Sequence, residues 1–136
     1  MDKIKLIQEL TKDEALKLFP YHDSVGKVTI GIGRNLTDVG ISREEASYLL
    51  DNDINKVIAQ LNDKLPWWIT LSENRQRVLV NMCFNMGIND LLAFKNTLAA
   101  MKSGDYKAAA DGMGKSLWAK QVGERAKRLA DMMKDG

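Results

Sequence analysis

Apolar and polar residues follow two different periods along this chain, and the change between them divides the N-terminal part into elements. From Lys3 to Leu18 the apolar positions recur every three to four residues, which predicts a first helix that Pro20 ends. From Asp23 to Gly33 the period changes to two, which predicts a turn followed by a strand. A second extended segment, at about residues 34–39, is expected to pair with that strand in a small sheet.

The rest of the chain shows helical periods, with polar residues where the helices begin. Ser42 and Glu45 form a capping box ahead of a long helix that is expected to span two lobes. Ser72 is expected to cap an apolar helix that Gly87 ends. Three more helices are expected at about Asp90 to Lys102, Asp105 to Lys115 and Glu124 to Lys134. The pattern predicts an α+β fold, mostly helical in its larger lobe, with a small antiparallel sheet in the N-terminal lobe.

Length and composition indicate one folded domain. A chain of 136 residues can bury a core without disulfides or metals, and 45% apolar with 28% charged residues is typical of a globular protein. We expect a monomer with a single domain over residues 1–136 and a sheet-bearing lobe at about 20–50. The N-terminal helix and about residues 66–136 are expected to form the helical lobe.

The charge and the metal-binding residues narrow the function classes. A net charge of +2 is far from the basic character of nucleic-acid-binding domains, so we expect no nucleic-acid partner. One histidine, His22, and one cysteine, Cys83, cannot build a typical zinc site, although an all-carboxylate calcium site stays open. Cys83 lies in an apolar helical run and is expected to be a small buried hydrophobe. We expect neither a metal nor another cofactor.

The first ten residues alternate charged with apolar side chains, and they lack the continuous apolar run of a signal peptide or membrane anchor. We therefore expect synthesis in the cytoplasm and no membrane insertion. A target outside the cell would require another factor to release the protein.

Glu14 occupies a position in the first helix where the pattern calls for an apolar residue. Ile7, Leu10, Glu14 and Leu18 fall in one stripe of the predicted helix. Burying a carboxylate without a cation raises its pKa, and a general acid needs a raised pKa to hold its proton near neutral pH. The alternative interpretation is a glutamate that turns to solvent or pairs with an arginine. Asp13 lies off the stripe and is expected to be a solvated or structural charge.

A second carboxylate and a hydroxyl follow the first helix. Asp23 opens a turn, where aspartate commonly bonds the backbone two residues on, and the reversing chain can also bring it back towards Glu14. Thr29 shares a strand face with Gly31 and Gly33, which suits either a closely approaching polymer or a simple bend. Two carboxylates across a groove can hydrolyse a glycosidic bond, and Thr29 could hold the water.

This segment also carries a family resemblance. The residues that fall at the spacing of a known signature are Glu14, Tyr21, Asp23, Gly26, Thr29, Ile30, Gly31 and Gly33. In this respect the chain resembles the phage-type lysozymes (endolysins), glycoside hydrolase family 24. The resemblance implies a two-lobed lysozyme-like fold with Glu14 as the general acid. It also implies that Asp23 and Thr29 position the attacking water or support the intermediate.

Later blocks extend the resemblance over nearly the whole chain. Residues 81–87 are similar to the core helix of the family, which implies that the ring of Phe84 lines the substrate groove. Residues 115–118 and 121–128 are similar to its C-terminal signature, which implies that Arg125 pairs with Glu14. We expect the substrate contacts to come from Gly31, Arg34, Phe84 and Asn85.

Three positions depart from the family pattern. Ala15 stands where glycine is usual after the glutamate, and we expect a helix to accept its extra methyl group. Arg34 stands where histidine is usual, and its charge is expected to alter the pH optimum or the substrate affinity. Leu117 replaces an arginine that some relatives carry, so a substrate contact is expected to be missing.

The resemblance implies a muramidase that hydrolyses the β-1,4 bond between N-acetylmuramic acid and N-acetylglucosamine. Peptidoglycan glycan strands would be its partner in the periplasm, after release by another factor. Two alternatives stay open. One is a wall-binding or assembly module that kept the fold but lost turnover, for which Ala15 and Arg34 are the only support. The other is a small helical DNA-binding domain, which the low net charge disfavours.

Overall fold

The computed structural model describes the whole chain, residues 1–136. It contains eight α-helices, one 3-10 helix and a three-stranded antiparallel sheet, which confirms the predicted α+β class. In chain order the elements are α1 (Lys3–Glu14), β1 (Lys17–His22), β2 (Val28–Gly31), β3 (Arg34–Asn35), α2 (Arg43–Lys64), the 3-10 helix (Pro66–Thr70), α3 (Glu73–Met86), α4 (Ile88–Leu92), α5 (Lys95–Ser103), α6 (Tyr106–Gly114), α7 (Leu117–Val122) and α8 (Glu124–Asp135). None of the helices combines the length and apolar character needed to cross a membrane.

The chain divides into two compact units, Met1–Leu49 and Leu50–Gly136. The first unit contains α1, the sheet and the start of α2, and the second contains the remaining helices. The sequence placed the N-terminal helix with the helical lobe of a single domain. That expectation concerns how the two units are arranged together, and it stays a prediction.

The first helix is shorter than predicted, and the residues after it form an unpredicted strand. α1 ends at Glu14 because Ala15 adopts φ 61° and ψ 152°, which no helix can continue. Pro20 does not end a helix but lies inside β1, one of the two edge strands of the sheet. The register between β1 and β2 shifts between Lys17 and Tyr21, and a residue without an N–H is tolerated in such an irregular edge.

The predicted pairing of two extended segments is confirmed, although both are shorter than expected. β2 covers Val28–Gly31, and Thr29 and Ile30 pair with Asn35 and Arg34 of β3. β3 ends after two residues because the chain turns, with the Val39 N–H donating to the Asn35 carbonyl at 3.1 Å.

The apolar core lies in the second unit. Its fully buried large side chains are Leu61, Val78, Leu79, Met82, Cys83, Leu91, Met101, Met113, Leu129 and Met133. Cys83 is 2% exposed, which confirms the small buried hydrophobe predicted for it, and burial raises the pKa of its thiol.

The helix boundaries follow local capping signals where those exist. The Ser42–Glu45 capping box is confirmed, since each side chain accepts a hydrogen bond from the other's N–H, at 3.1 and 2.8 Å. Ser72 and Gly87 begin and end α3 as predicted.

Two predictions for the later helices were wrong. The single helix expected at about 90–102 is divided into α4 and α5, because Phe94 leaves helical geometry (ψ 54°) and packs edge-on against Trp118, 6.5 Å between centroids. The second error was that no helix was predicted at α7, which Ser116 caps by accepting a hydrogen bond from Ala119 N at 3.1 Å.

Candidate active site

The carboxylate of Glu14 lies against the β2–β3 hairpin. A methyl group added at Gly33 would lie 2.8 Å from Oε2 and 2.9 Å from Cδ of Glu14, so a larger residue here would require the flexible Glu14 side chain to shift. Gly33 also has φ 74°, which favours glycine independently. The hairpin therefore forms a seat for the acid that the sequence singled out.

The surroundings of Glu14 differ from the prediction in one respect. α1 contains no buried residue, and Glu14 is exposed. The expectation of a carboxylate on a buried apolar stripe was wrong, since Ile7 and Leu10 of that stripe are 51% and 45% exposed. The alternative, a glutamate at the helix end that faces solvent, fits the structure.

Ala15 is the residue that stops α1 directly after Glu14. Its N–H donates to the Thr11 carbonyl at 3.0 Å, and its φ of 61° is the only positive φ outside glycine. The expectation that a helix would accept the methyl group of Ala15 was wrong, because Ala15 lies outside helical geometry. In this backbone region a side chain costs about 1–3 kcal/mol, and glycine does not bear that cost.

Asp23 organises the turn between β1 and β2. Its Oδ1 atom accepts hydrogen bonds from Val25 N at 3.0 Å and Lys27 N at 2.8 Å, and its carbonyl accepts one from Gly26 N at 3.0 Å. This confirms the structural interpretation of Asp23 as a turn residue. Its Oδ2 atom has no protein partner, so one carboxylate oxygen is available for other contacts.

Thr29 lies at the centre of the sheet and is the one buried residue of the first unit, at 4% exposure. Its hydroxyl donates to the Lys27 carbonyl at 3.1 Å, so the oxygen keeps lone pairs that can accept from a water. Gly31 ends β2, where it pairs with Lys17 of β1, whereas Gly33 lies in the turn between β2 and β3. Both glycines have positive φ, 72° and 74°, and the strand face expected for Thr29, Gly31 and Gly33 does not extend to Gly33.

The guanidinium group of Arg34 is committed to protein contacts. Its Nη1 and Nη2 atoms each lie 2.7 Å from one oxygen of Glu45, and Nη1 also donates to the Gly40 carbonyl at 3.2 Å. The Arg34 guanidinium and the Ser42 N–H lower the pKa of Glu45 from 4.5 to about 2, and Glu45 raises the pKa of Arg34. The predicted substrate contact of Arg34 stays a prediction.

Two of the predicted residues of the second unit line one cavity. Phe84 and Arg125 border a space of about 580 Å³, together with apolar side chains of α2 and α3. Arg125 donates from Nε and Nη2 to Asn81 Oδ1, at 2.9 and 2.7 Å. Asn85 lies apart from this cavity and accepts a hydrogen bond from Trp118 Nε1 at 2.8 Å. The pairing of Arg125 with Glu14 would join the two units and stays a prediction.

The structure adds three participants that sequence reasoning did not assign. Asn81 holds Arg125, Glu45 holds Arg34, and Gly33 seats Glu14. Each carried a signal for something else: Glu45 in the capping box, Gly33 in the family signature, and Asn81 at the start of the block at residues 81–87. No group of three or more His, Cys, Asp or Glu side chains is placed to hold a metal ion.

The sequence that forms the hairpin, the turn at Asp23 and the helical second unit matches a known family. Residues 11–133 match the family described as Phage lysozyme, and the chain belongs to that family of glycoside hydrolases. The α+β fold is thus a lysozyme-like fold, as the sequence resemblance implied.

Similar proteins include phage and eukaryotic members. The chain is 28% identical to the pre-baseplate central spike protein Gp5 of Enterobacteria phage T4, over 98% of this chain but only 28% of that protein. It is 26% identical to the probable T4-type lysozyme 1 of Dictyostelium discoideum, over 98% of this chain and 96% of that protein. It is 30% identical to the SAR-endolysin of Escherichia phage Mu, over 90% of this chain and 73% of that protein.

Proposed function

We propose that this protein is an endolysin-type muramidase, which hydrolyses the β-1,4 bond between N-acetylmuramic acid and N-acetylglucosamine in bacterial peptidoglycan. The observation that carries the proposal is the seating of the Glu14 carboxylate on Gly33. It brings an acid from the end of a helix onto the small sheet that also carries Thr29, with Asp23 in the adjoining turn. Hydrolysis of a glycosidic bond requires an acid and a second carboxylate flanking the sugar.

Each residue has a defined task in this proposal. Glu14 would protonate the leaving glycosidic oxygen, and its exposure leaves the carboxyl group open to a polymer. Asp23 would act as the second carboxylate through Oδ2, because two backbone N–H groups already occupy Oδ1. Thr29 would orient the water, since its hydroxyl proton is donated to the Lys27 carbonyl and its oxygen lone pairs can still accept a hydrogen bond from the water.

The second unit would supply binding surface. The ring of Phe84 is 43% exposed and offers an apolar face to a sugar. The pairing of Arg125 with Glu14 belongs to the proposal as well. Asn81 occupies Nε and Nη2 of that guanidinium, while Nη1 has no protein partner.

The first test measures reducing ends released from purified peptidoglycan by the wild-type protein, Glu14→Gln and Asp23→Asn. We expect Glu14→Gln to lower the rate by about 10²–10⁴-fold, because it removes the acid but little volume. Asp13→Asn is the matched control, since this carboxylate is also exposed and adjacent in sequence, and it should retain the wild-type rate. Equal melting temperatures would show that all four proteins are folded.

Analysis of the products tests which glycosidic bond is hydrolysed. Mass spectrometry of the fragments should find N-acetylmuramic acid at every new reducing end. Fragments that end in N-acetylglucosamine would contradict the proposed specificity while leaving a glycoside hydrolase in place.

We also propose that the protein acts as a monomer on glycan strands of the periplasmic wall, which it reaches after another factor releases it. The name of the SAR-endolysin relative supports a lytic role. Sedimentation of the purified protein tests the first part, since a stable dimer would exclude a monomer.

A second candidate is a wall-binding or assembly module without turnover. The similarity to a central spike protein, over 28% of that protein's length, favours this candidate. The two candidates separate in one experiment, in which the protein is mixed with peptidoglycan and pelleted. A protein that pellets with the wall but releases no reducing ends at any pH is a binding module.

A further inference from the structure

Arg34 and Glu45 form a two-pronged ion pair between the hairpin and the start of α2. Two nitrogens of Arg34 face two oxygens of Glu45, both at 2.7 Å. A paired geometry of this kind fixes the direction of both side chains as well as their distance. The Ser42 N–H holds Glu45 Oε1 at 2.8 Å, so the acidic partner is itself anchored to the helix start.

The pair acts on the residue that seats Glu14. Arg34 directly follows Gly33 and is the first residue of β3, a strand of only two residues. Few backbone bonds hold so short a strand, chiefly its pairing with β2 and the Leu36 N–H donating to the Val28 carbonyl at 2.7 Å. A side-chain tether at Arg34 therefore limits how far Gly33 can move.

The exposure of the Arg34 and Glu45 side chains indicates that their ion pair positions the hairpin more than it stabilises the fold. The side chains of Arg34 and Glu45 are 38% and 42% exposed, and ion pairs in contact with water contribute little to folding free energy. Their geometry is nevertheless narrowly defined, and the carbonyl of Gly40 adds a third contact to the same guanidinium. The main effect of the ion pair is therefore to fix the position of the hairpin.

We propose that Arg34 and Glu45 are positioning residues, which hold the β2–β3 hairpin so that Gly33 seats the carboxylate of Glu14 for proton transfer. The proposal rests on the proposed function for its catalytic part. It gives Arg34 a task other than substrate contact, because releasing the guanidinium to a sugar would break three contacts.

The test compares Arg34→Gln, Glu45→Gln and the double variant on soluble glycan strands, with kcat and KM measured separately. We expect each single variant to lower kcat about tenfold with little change in KM, since a misplaced reacting group slows chemistry without weakening binding. The double variant should be no worse than either single variant, because both remove the same contact. The charge-swapped double variant, Arg34→Glu with Glu45→Arg, should recover part of the lost kcat.

Asp38→Asn is the matched control. It removes the other ion pair of this region, which joins Lys27 and Asp38 at 3.3 Å, with side chains 39% and 53% exposed. The amide oxygen that remains can still accept the hydrogen bond that Asn35 Nδ2 of β3 donates to Asp38 Oδ2 at 3.0 Å. We expect this variant to keep the wild-type kcat. A different result, in which Arg34→Gln raises KM and Glu45→Gln changes nothing, would show that Arg34 binds substrate and would overturn the proposal.

A second readout does not require activity. The amide resonance of Gly33 and the hydrogen exchange of the Leu36 amide report directly on the hairpin. Both should change in Arg34→Gln and in Glu45→Gln, and neither should change in Asp38→Asn. Unchanged spectra in the first two variants would overturn the positioning role, whereas an inactive wild-type protein with the expected spectral changes would overturn only the proposed function.

Discussion

The two units of this protein hold their predicted functional residues in different ways. In the first unit only Thr29 is buried, and Glu14 and Asp23 lie at a helix end and in a turn. In the second unit helices pack around a core of large apolar side chains, and two of these helices carry Phe84 and Arg125. Backbone turns and hydrogen bonds therefore place the acids, whereas packed helices place the predicted groove residues.

This difference predicts where substitutions act. A hydrogen bond or a turn conformation contributes on the order of 1 kcal/mol, so changes in the first unit should alter geometry and activity more than folding. A buried leucine or methionine contributes several times as much, so changes in the second unit should act mainly through stability.

The largest effect on stability is expected from the core of the second unit. Leu79 is fully buried in α3, and Leu79→Ala should lower the free energy of unfolding by about 2–5 kcal/mol through lost contacts and a cavity. Leu117→Ala is the control, because Leu117 lies in the same unit at 71% exposure. Urea unfolding should place Leu117→Ala within about 0.5 kcal/mol of wild type. Equal losses in both variants would contradict the location of the core.

The next effect concerns activity in the first unit. Gly33→Ala should lower the rate on peptidoglycan about 100-fold, because the new methyl group displaces Glu14, and a small misplacement of a reacting group is costly. Gly31→Ala is the partner for comparison. It has nearly the same φ, 72° against 74°, but no atom of the protein within 4 Å of the added methyl group.

The difference between these two glycine variants isolates the contact with Glu14 from the strain of a positive φ. Both should lose similar amounts of folding free energy in urea, but Gly33→Ala should lose more activity. Because Gly31 is itself a predicted substrate contact, the two variants are compared by kcat on soluble glycan strands, with KM measured separately. If Gly31→Ala lowers kcat as much as Gly33→Ala, the seat for Glu14 is not what Gly33 provides.

The comparison also explains which features the sequence could predict. Helix starts at Ser42 and Ser72 were predicted correctly because a cap is a local pattern of a few residues. The candidate acids were found for the same reason, since their spacing along the chain is fixed. The seat at Gly33 and the Arg34–Glu45 pair join segments eleven or more positions apart, which a pattern of neighbours does not show.

Errors in the fold have the same origin. The first two residues of β1, Lys17 and Leu18, were interpreted as the end of a helix because Leu18 also fits a helical period, and only pairing with β2 makes this segment a strand. The break between α4 and α5 depends on Phe94 packing against Trp118, which lies in α7. Such contacts override local preference and become visible only in three dimensions.

The smallest predicted effect comes from Ala15, where the sequence was misread for the same reason. Replacing a helical alanine by glycine should lower the free energy of unfolding by about 1 kcal/mol. Replacing an alanine at φ 61° should raise it by about as much, because glycine relieves the strained backbone. We therefore expect Ala15→Gly to raise the free energy of unfolding by about 1 kcal/mol, after the larger entropy of the unfolded glycine chain is subtracted. Ala46→Gly is the control, since Ala46 is exposed in α2 of the same unit and should be destabilised. If the free energy of unfolding rises in Ala15→Gly and falls in Ala46→Gly, the strained conformation of Ala15 ends α1 at Glu14. Equal signs would mean that Ala15 continues the helix and that the carboxylate of Glu14 is placed differently.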